Sequence, residues 1–125
     1  MPDTHRVLIV EDNAINLTLS TFLVRSAGYD VITAGDAEEG IKMAREQMPD
    51  LILMDIQLPG MDGLEAIGVL KADASTRAIP IIALTALAMK GDEARIRASG
   101  CDGYIAKPMR YQKFLEAIAE VLAPT

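Results

Sequence analysis

An α/β fold, a doubly wound five-stranded parallel sheet with helices on both faces, follows from three features of the sequence. Short apolar runs alternate with longer amphipathic ones from one end to the other. The short runs are nearly unbroken in hydrophobicity, which implies strands covered on both faces. The length of 125 residues, half of them hydrophobic and about a quarter charged, suits one core of ordinary size and is too short for two.

Val7 to Val10 reads as the first strand. Asn13 to Ala27 follows as a helix, with Ile15, Leu19, Phe22 and Leu23 at helical spacing and expected to face the sheet. Val31 to Ala34 is the second strand, and Thr33 within it suggests an edge. Ala37 to Met48 is a helix with Ile41, Ala44 and Met48 as its inward stripe. It opens on Asp36 with Glu39 three residues later, an acidic cap, and Pro49 closes it. Leu51 to Met54 is the third strand, and a third helix opens on Asp62 and Glu65 in the same pattern. Ile81 to Thr85 is the fourth strand.

The fourth helix, Met89 to Ser99, differs from the others. Gly91 interrupts it, Ile96 is its only large apolar residue after Met89, and Gly100 ends it, so a weakly anchored helix is expected. Tyr104 to Ala106 makes the fifth strand. Arg110 to Ala123 carries Phe114, Leu115, Ile118, Val121 and Leu122 as a strong apolar stripe that should dock firmly. With no internal repeat and only Pro124 and Thr125 beyond, one domain over 1–125 without an effector domain is expected.

The net charge of −6, with no stripe of Lys and Arg, argues against a protein that grips nucleic acid through its phosphates. Cys101 is the single cysteine, which excludes an intramolecular disulfide and a cysteine pair for zinc. A reducing cytoplasmic compartment and a small buried residue are the expectations. The polar start, Met1 to Arg6, leads into an apolar run shorter than a signal peptide core, and none approaches the roughly 20 residues that span a bilayer.

In a sheet of strand order 2-1-3-4-5, ligands bind at the carboxyl ends of the first and third strands. Those ends carry Glu11, Asp12 and Asp55. Neighbouring strands lie about 4.8 Å apart, so carboxylates at the two tips can share one cation. Thr85 ends the fourth strand and Lys107 the fifth, about two strand spacings from Asp55, a gap that a lysine side chain bridges. Three adjacent carboxylates repel one another unless a hard cation such as Mg²⁺ (or Mn²⁺) sits among them. Taken singly, Glu11 and Asp12 could merely favour a helix start, Asp55 could cap a loop and Lys107 could be solvated. Four separated strand ends that place these groups on one rim favour a shared site.

The segments Val-Leu-Ile-Val-Glu-Asp-Asn at 7–13, Leu-Ile-Leu-Met-Asp-Ile-Gln-Leu-Pro-Gly-Met-Asp-Gly at 51–63, Leu-Thr-Ala at 84–86 and Lys107-Pro108 closely resemble the receiver domains of two-component response regulators. The resemblance covers essentially the whole chain and implies a flavodoxin-like, CheY-like fold. The block Ala88-Met89-Lys90-Gly91-Asp92-Glu93 is similar to a single-domain, cell-cycle type within that family. The resemblance implies that Asp55 is the phosphoacceptor and that Glu11, Asp12, Asp55 and the backbone carbonyl of Gln57 hold Mg²⁺. It implies that Thr85 and Lys107 bind phosphoryl oxygens, that Thr85 and Tyr104 form the switch, and that the Lys107-Pro108 bond is cis.

The partners implied are a sensor histidine kinase or phosphotransfer protein and a downstream effector protein, with neither nucleic acid nor membrane. The effector contacts would come from Lys90, Arg95, Tyr104 and Tyr111. The resemblance implies a switch and not an enzyme, one that catalyses only its own phosphorylation and slow dephosphorylation. An aspartyl-phosphate hydrolase would need a carboxylate where Gln57 stands. A flavin or nucleotide binder would need a glycine-rich loop after the first strand, where Glu11-Asp12-Asn13 stand.

Overall fold

The computed structural model describes residues 5–58, 60–61, 63–85, 90–106 and 111–122, with the backbone alone at 90–93 and 106. Among these residues, strands β1 (Arg6–Val10), β2 (Asp30–Ala34), β3 (Leu51–Asp55), β4 (Ile81–Thr85) and β5 (Gly103–Ala106) form one parallel sheet. Its order is β2-β1-β3-β4-β5, as the sequence predicts. Helices α1 (Ala14–Ser26), α2 (Ala37–Gln47), α3 (Gly63–Ala72), α4 (Lys90–Ala98) and α5 (Tyr111–Leu122) alternate with the strands.

The unbroken apolar strands reflect two cores, one on each face. Leu8, Val10, Ile52, Met54, Ile81 and Ala83 feed one layer, where Ile41, Ile67, Leu70 and Ile96 come down from α2, α3 and α4. Their strand neighbours Val7, Ile9, Leu51, Leu53, Ile82 and Leu84 feed the other, closed by Val24 of α1 and by Phe114 and Ile118 of α5. Every residue of β3 and β4 is buried, whereas β2 is an edge and only Ala34 in it is buried.

Two expectations about helix faces are corrected. Ile15, Leu19 and Phe22 of α1 point to solvent, with exposures of 80%, 55% and 67%. Leu23 packs against the second core as expected, together with Leu17, and Ser20 and Val24 are buried in place of the other three. At 3.6 residues per turn these sets occupy nearly opposite sides of the helix, so α1 has two apolar stripes and the core takes the other one. In α2, Ile41 and Ala44 are buried as expected but Met48 is 52% exposed. The helix ends at Gln47, and Met48 turns left-handed at φ 47° while its N–H still bonds the Ala44 carbonyl at 3.0 Å. A side chain is strained there, and glycine is not. Met48→Gly is expected to raise stability by about 0.5 kcal/mol, read as a higher urea midpoint at unchanged slope.

The Asp36 cap of α2 forms as predicted, accepting the Glu39 N–H at 2.7 Å. Its counterpart Asp62 lies outside the described residues. On α4, the described side chains at 94–98 include one buried residue, Ile96, consistent with a thinly anchored helix. Cys101 is partly rather than fully buried, and its Sγ donates to the Ile96 carbonyl at 3.2 Å.

Polar ties fix the sheet's amino-terminal edge. Lys71 Nζ donates to the carbonyls of Arg77 and Ile79 and to Asp102, whose Oδ2 also accepts the Ile81 N–H at 2.8 Å. Arg45 bonds Asp73 at 2.8 Å. The Asp73 carboxyl is held near pKa 2, chiefly by the Ser75 N–H, then by the Ser75 hydroxyl and Arg45. Among the described residues, no helix is long and apolar enough to cross a membrane.

Candidate functional site

The opposite, carboxyl edge gathers the acidic residues. After Val10 the Glu11 N–H bonds the Ala34 carbonyl at 3.1 Å, which adds one rung beyond β1 and holds Glu11 at 2% exposure. Asp12 follows at the surface. Asn13 turns the chain into α1: its Oδ1 accepts the Asn16 N–H at 3.0 Å, and its own N–H donates to Glu11 Oε2 at 3.4 Å.

Asp55 is the last residue of β3, one beyond the end expected from the apolar run, and is 3% exposed. The Ile56 N–H continues the ladder to the Leu84 carbonyl at 2.9 Å, which keeps Asp55 in strand geometry. The Gln57 N–H donates to Asp55 Oδ1 at 2.9 Å and fixes the orientation of the carboxylate. The Gly63 N–H then bonds the Ile56 carbonyl at 2.9 Å, folding the start of α3 against the strand end. A Cβ at Gly63 would overlap the Asp55 carbonyl oxygen and stand 2.6 Å from Ile56 Cα.

Glu11, Asp12 and Asp55 each offer a carboxylate oxygen, and these atoms lie within 4.8 Å of one another. Two of the three are buried, so charge is concentrated where water screens it poorly. Three hard oxygen donors at that spacing fit a hard divalent cation and offer nothing to a soft one. Asp12→Asn removes one charge from the set without filling the space. It is expected to lower Mg²⁺ or Mn²⁺ affinity at least about tenfold, measured by titration calorimetry.

Thr85, at the end of β4, is 1% exposed, and β5 pairs Ala106 beside it. Tyr104 is 38% exposed. Lys107, Pro108 and the expected cis bond between them lie outside the described residues, as does Leu87. The structure thus brings Glu11, Asp12, Asp55, Gln57 and Thr85 to one edge. What the sequence reading missed is the role of two backbone features, the Gln57 N–H and the close approach at Gly63. The only available signal was the glycine that follows Asp62.

The family model for the response regulator receiver domain matches residues 7–119. This chain belongs to that family. Receiver domains are signalling modules and not enzymes of the ordinary kind. Among curated receivers, the chain is 50% identical over 119 residues to the polar-differentiation response regulator DivK of Brucella ovis, covering 95% of this chain and 97% of that protein. It is 51% identical over 116 residues to DivK of Brucella anthropi, covering 93% and 94%.

Solved receivers share the architecture. The receiver domain of the sensor histidine kinase PA1611 from Pseudomonas aeruginosa superposes with a TM-score of 0.90 at 34% identity, covering 98% of this chain and 100% of that one. That structure has a magnesium ion coordinated in its active site cleft. Chemotaxis protein CheY4 of Vibrio cholerae gives 0.90 at 27% identity, covering 96% and 100%.

Proposed function

We propose that this chain is a stand-alone response regulator, one receiver domain over 1–125, that takes a phosphoryl group on Asp55 from a histidine kinase or phosphotransfer protein. The observation that carries the reading is the meeting of Glu11, Asp12 and Asp55 within 4.8 Å, at an edge where Thr85 is also buried. An Asp55 carboxylate oxygen attacks phosphorus in line, the bond from phosphorus to the donor breaks, and the donor leaves with the bonding electrons. With a phosphohistidine donor the leaving group is an imidazole. The Gln57 N–H bond to Asp55 Oδ1 supports the reading by fixing the carboxylate in one orientation at the strand end.

Mg²⁺ (or Mn²⁺) would be held by Glu11, Asp12, Asp55 and the Gln57 backbone carbonyl, and when bound it neutralises charge on the transferring group. Lys107 pairs with one phosphoryl oxygen and the Thr85 hydroxyl donates to another. The new charge draws Thr85 inward and Tyr104 follows, shifting an equilibrium between two conformations. Neither the exposed Gln57 carboxamide nor the apolar Leu87 is a base for water, so the acyl phosphate is long-lived. The same carboxamide disfavours an aspartyl-phosphate hydrolase.

The exposed stripe of Ile15, Leu19 and Phe22 starts three residues after Asp12. It offers the donor protein an apolar seat beside the acceptor. The effector reads the other flank through Arg95, Tyr104 and Tyr111, all exposed, and through Lys90, whose side chain lies outside the described residues. The similarity to the polar-differentiation response regulator DivK supports a role in polar differentiation and, with it, in the cell cycle.

Labelling with Mg²⁺ and acetyl phosphate, followed by borohydride reduction and peptide mass spectrometry, tests the assignment. Reduction of an acyl phosphate on aspartate leaves homoserine, which is expected at position 55. Homoserine at 12 or at no position overturns the reading.

A further inference from the structure

We propose that Arg97 holds Tyr104 in its outward position and thereby sets how readily the receiver switches. The proposal rests on the reading of Thr85 and Tyr104 as the switch pair and adds a restraint that acts on it. The register places Tyr104 beside Ala83 and Ala106 beside Thr85. Residues two apart in a strand share a face, so Tyr104 and Thr85 lie on the same side of the sheet. That is the side α4 covers, pinned there by Ile96 at 2% exposure.

Arg97 is the next residue of α4. Its guanidinium carbon lies 5.9 Å from the centroid of the Tyr104 ring, within range of a cation–π contact. Tyr104 is 38% exposed in this arrangement, whereas Thr85 is 1% exposed. An inward rotation of the ring must give up the Arg97 contact, so the contact weights the equilibrium toward the inactive state. At an exposed site a pair of this kind biases such an equilibrium about two- to fivefold. Because α4 has one apolar anchor among its described side chains, release of the ring also frees the surface of α4 that an effector reads. Arg97 therefore couples the position of Tyr104 to the output face.

The test uses the full chain carrying 3-fluorotyrosine, with the Tyr104 fluorine resonance assigned through Tyr104→Phe. Wild type, Arg97→Met and Arg97→Lys are titrated with beryllofluoride in the presence of Mg²⁺. Beryllofluoride is expected to shift the wild-type Tyr104 resonance. Arg97→Met is expected to move the resonance of the free protein part of the way to that position and to lower the half-saturating concentration about two- to fivefold. Arg97→Lys, which keeps a cation over the ring, is expected to stay within about twofold of wild type. In a Tyr104→Leu background, Arg97→Met is expected to have no effect on half-saturation.

An Arg97→Met resonance and half-saturation equal to wild type overturn the proposal. So does Arg97→Lys behaving as Arg97→Met, or an undiminished Arg97→Met effect in the Tyr104→Leu background. Saturable binding to wild type without movement of Tyr104 also overturns it, and leaves Asp55 as the acceptor. Failure of wild type to bind beryllofluoride removes the receiver chemistry as well.

Discussion

Gly63→Ala is expected to cost about 3 kcal/mol of folding stability and to disable the site, although it adds only one methyl group. The new Cβ would stand 2.6 Å from Ile56 Cα and overlap the carbonyl of Asp55, both backbone atoms that no side-chain rotation can clear. Relief requires α3 to move off the strand end, which breaks the Gly63 N–H bond to Ile56 and displaces the segment whose Gln57 N–H orients Asp55. The control is Gly68→Ala on the same helix. Gly68 has no atom within 4 Å of a built Cβ, and alanine there is expected to raise stability by about 0.5–1 kcal/mol. Urea unfolding of the two variants checks both signs. Equal effects would mean that helix propensity, and not the approach to Asp55, governs position 63.

The sheet was legible because its physics is written in consecutive residues. Leu51 to Met54 and Ile81 to Thr85 are apolar at every position up to their last residue, and only strands that feed two core layers demand that. The convergence of Glu11, Asp12 and Asp55 followed from the strand order, since parallel strands deliver all their carboxyl ends to one rim.

The less legible features depend on three-dimensional choices. α1 carries two apolar stripes, and periodicity alone does not say that Val24 goes inward and Phe22 outward. The exposed stripe is the one whose side chains are larger. Met48 fits the α2 stripe by spacing, but the chain turns left-handed at that residue and carries it out of the stripe. Gly63 and the Gln57 N–H act through the backbone, where a residue name says little about contacts.

Asp55→Asn gives the largest effect expected on function. The carboxamide is nearly isosteric and keeps an oxygen for the Gln57 N–H, so the edge of the sheet should remain folded with Glu11 and Thr85 in place. It lacks the anionic oxygen proposed to attack phosphorus, and neither of the other two carboxylates of the described cluster is expected to substitute for it. Asp12 is exposed and is assigned to the metal, and Glu11 is buried with one oxygen facing the Asn13 N–H. The most direct measurement is the initial rate of phosphoryl incorporation from labelled acetyl phosphate with Mg²⁺, for wild type and for Asp55→Asn of matched thermal stability. Wild type should incorporate up to one phosphoryl group per chain and Asp55→Asn should fall by about a hundredfold or more, to the level without donor activation. Incorporation by Asp55→Asn at the wild-type rate would contradict the account at its centre.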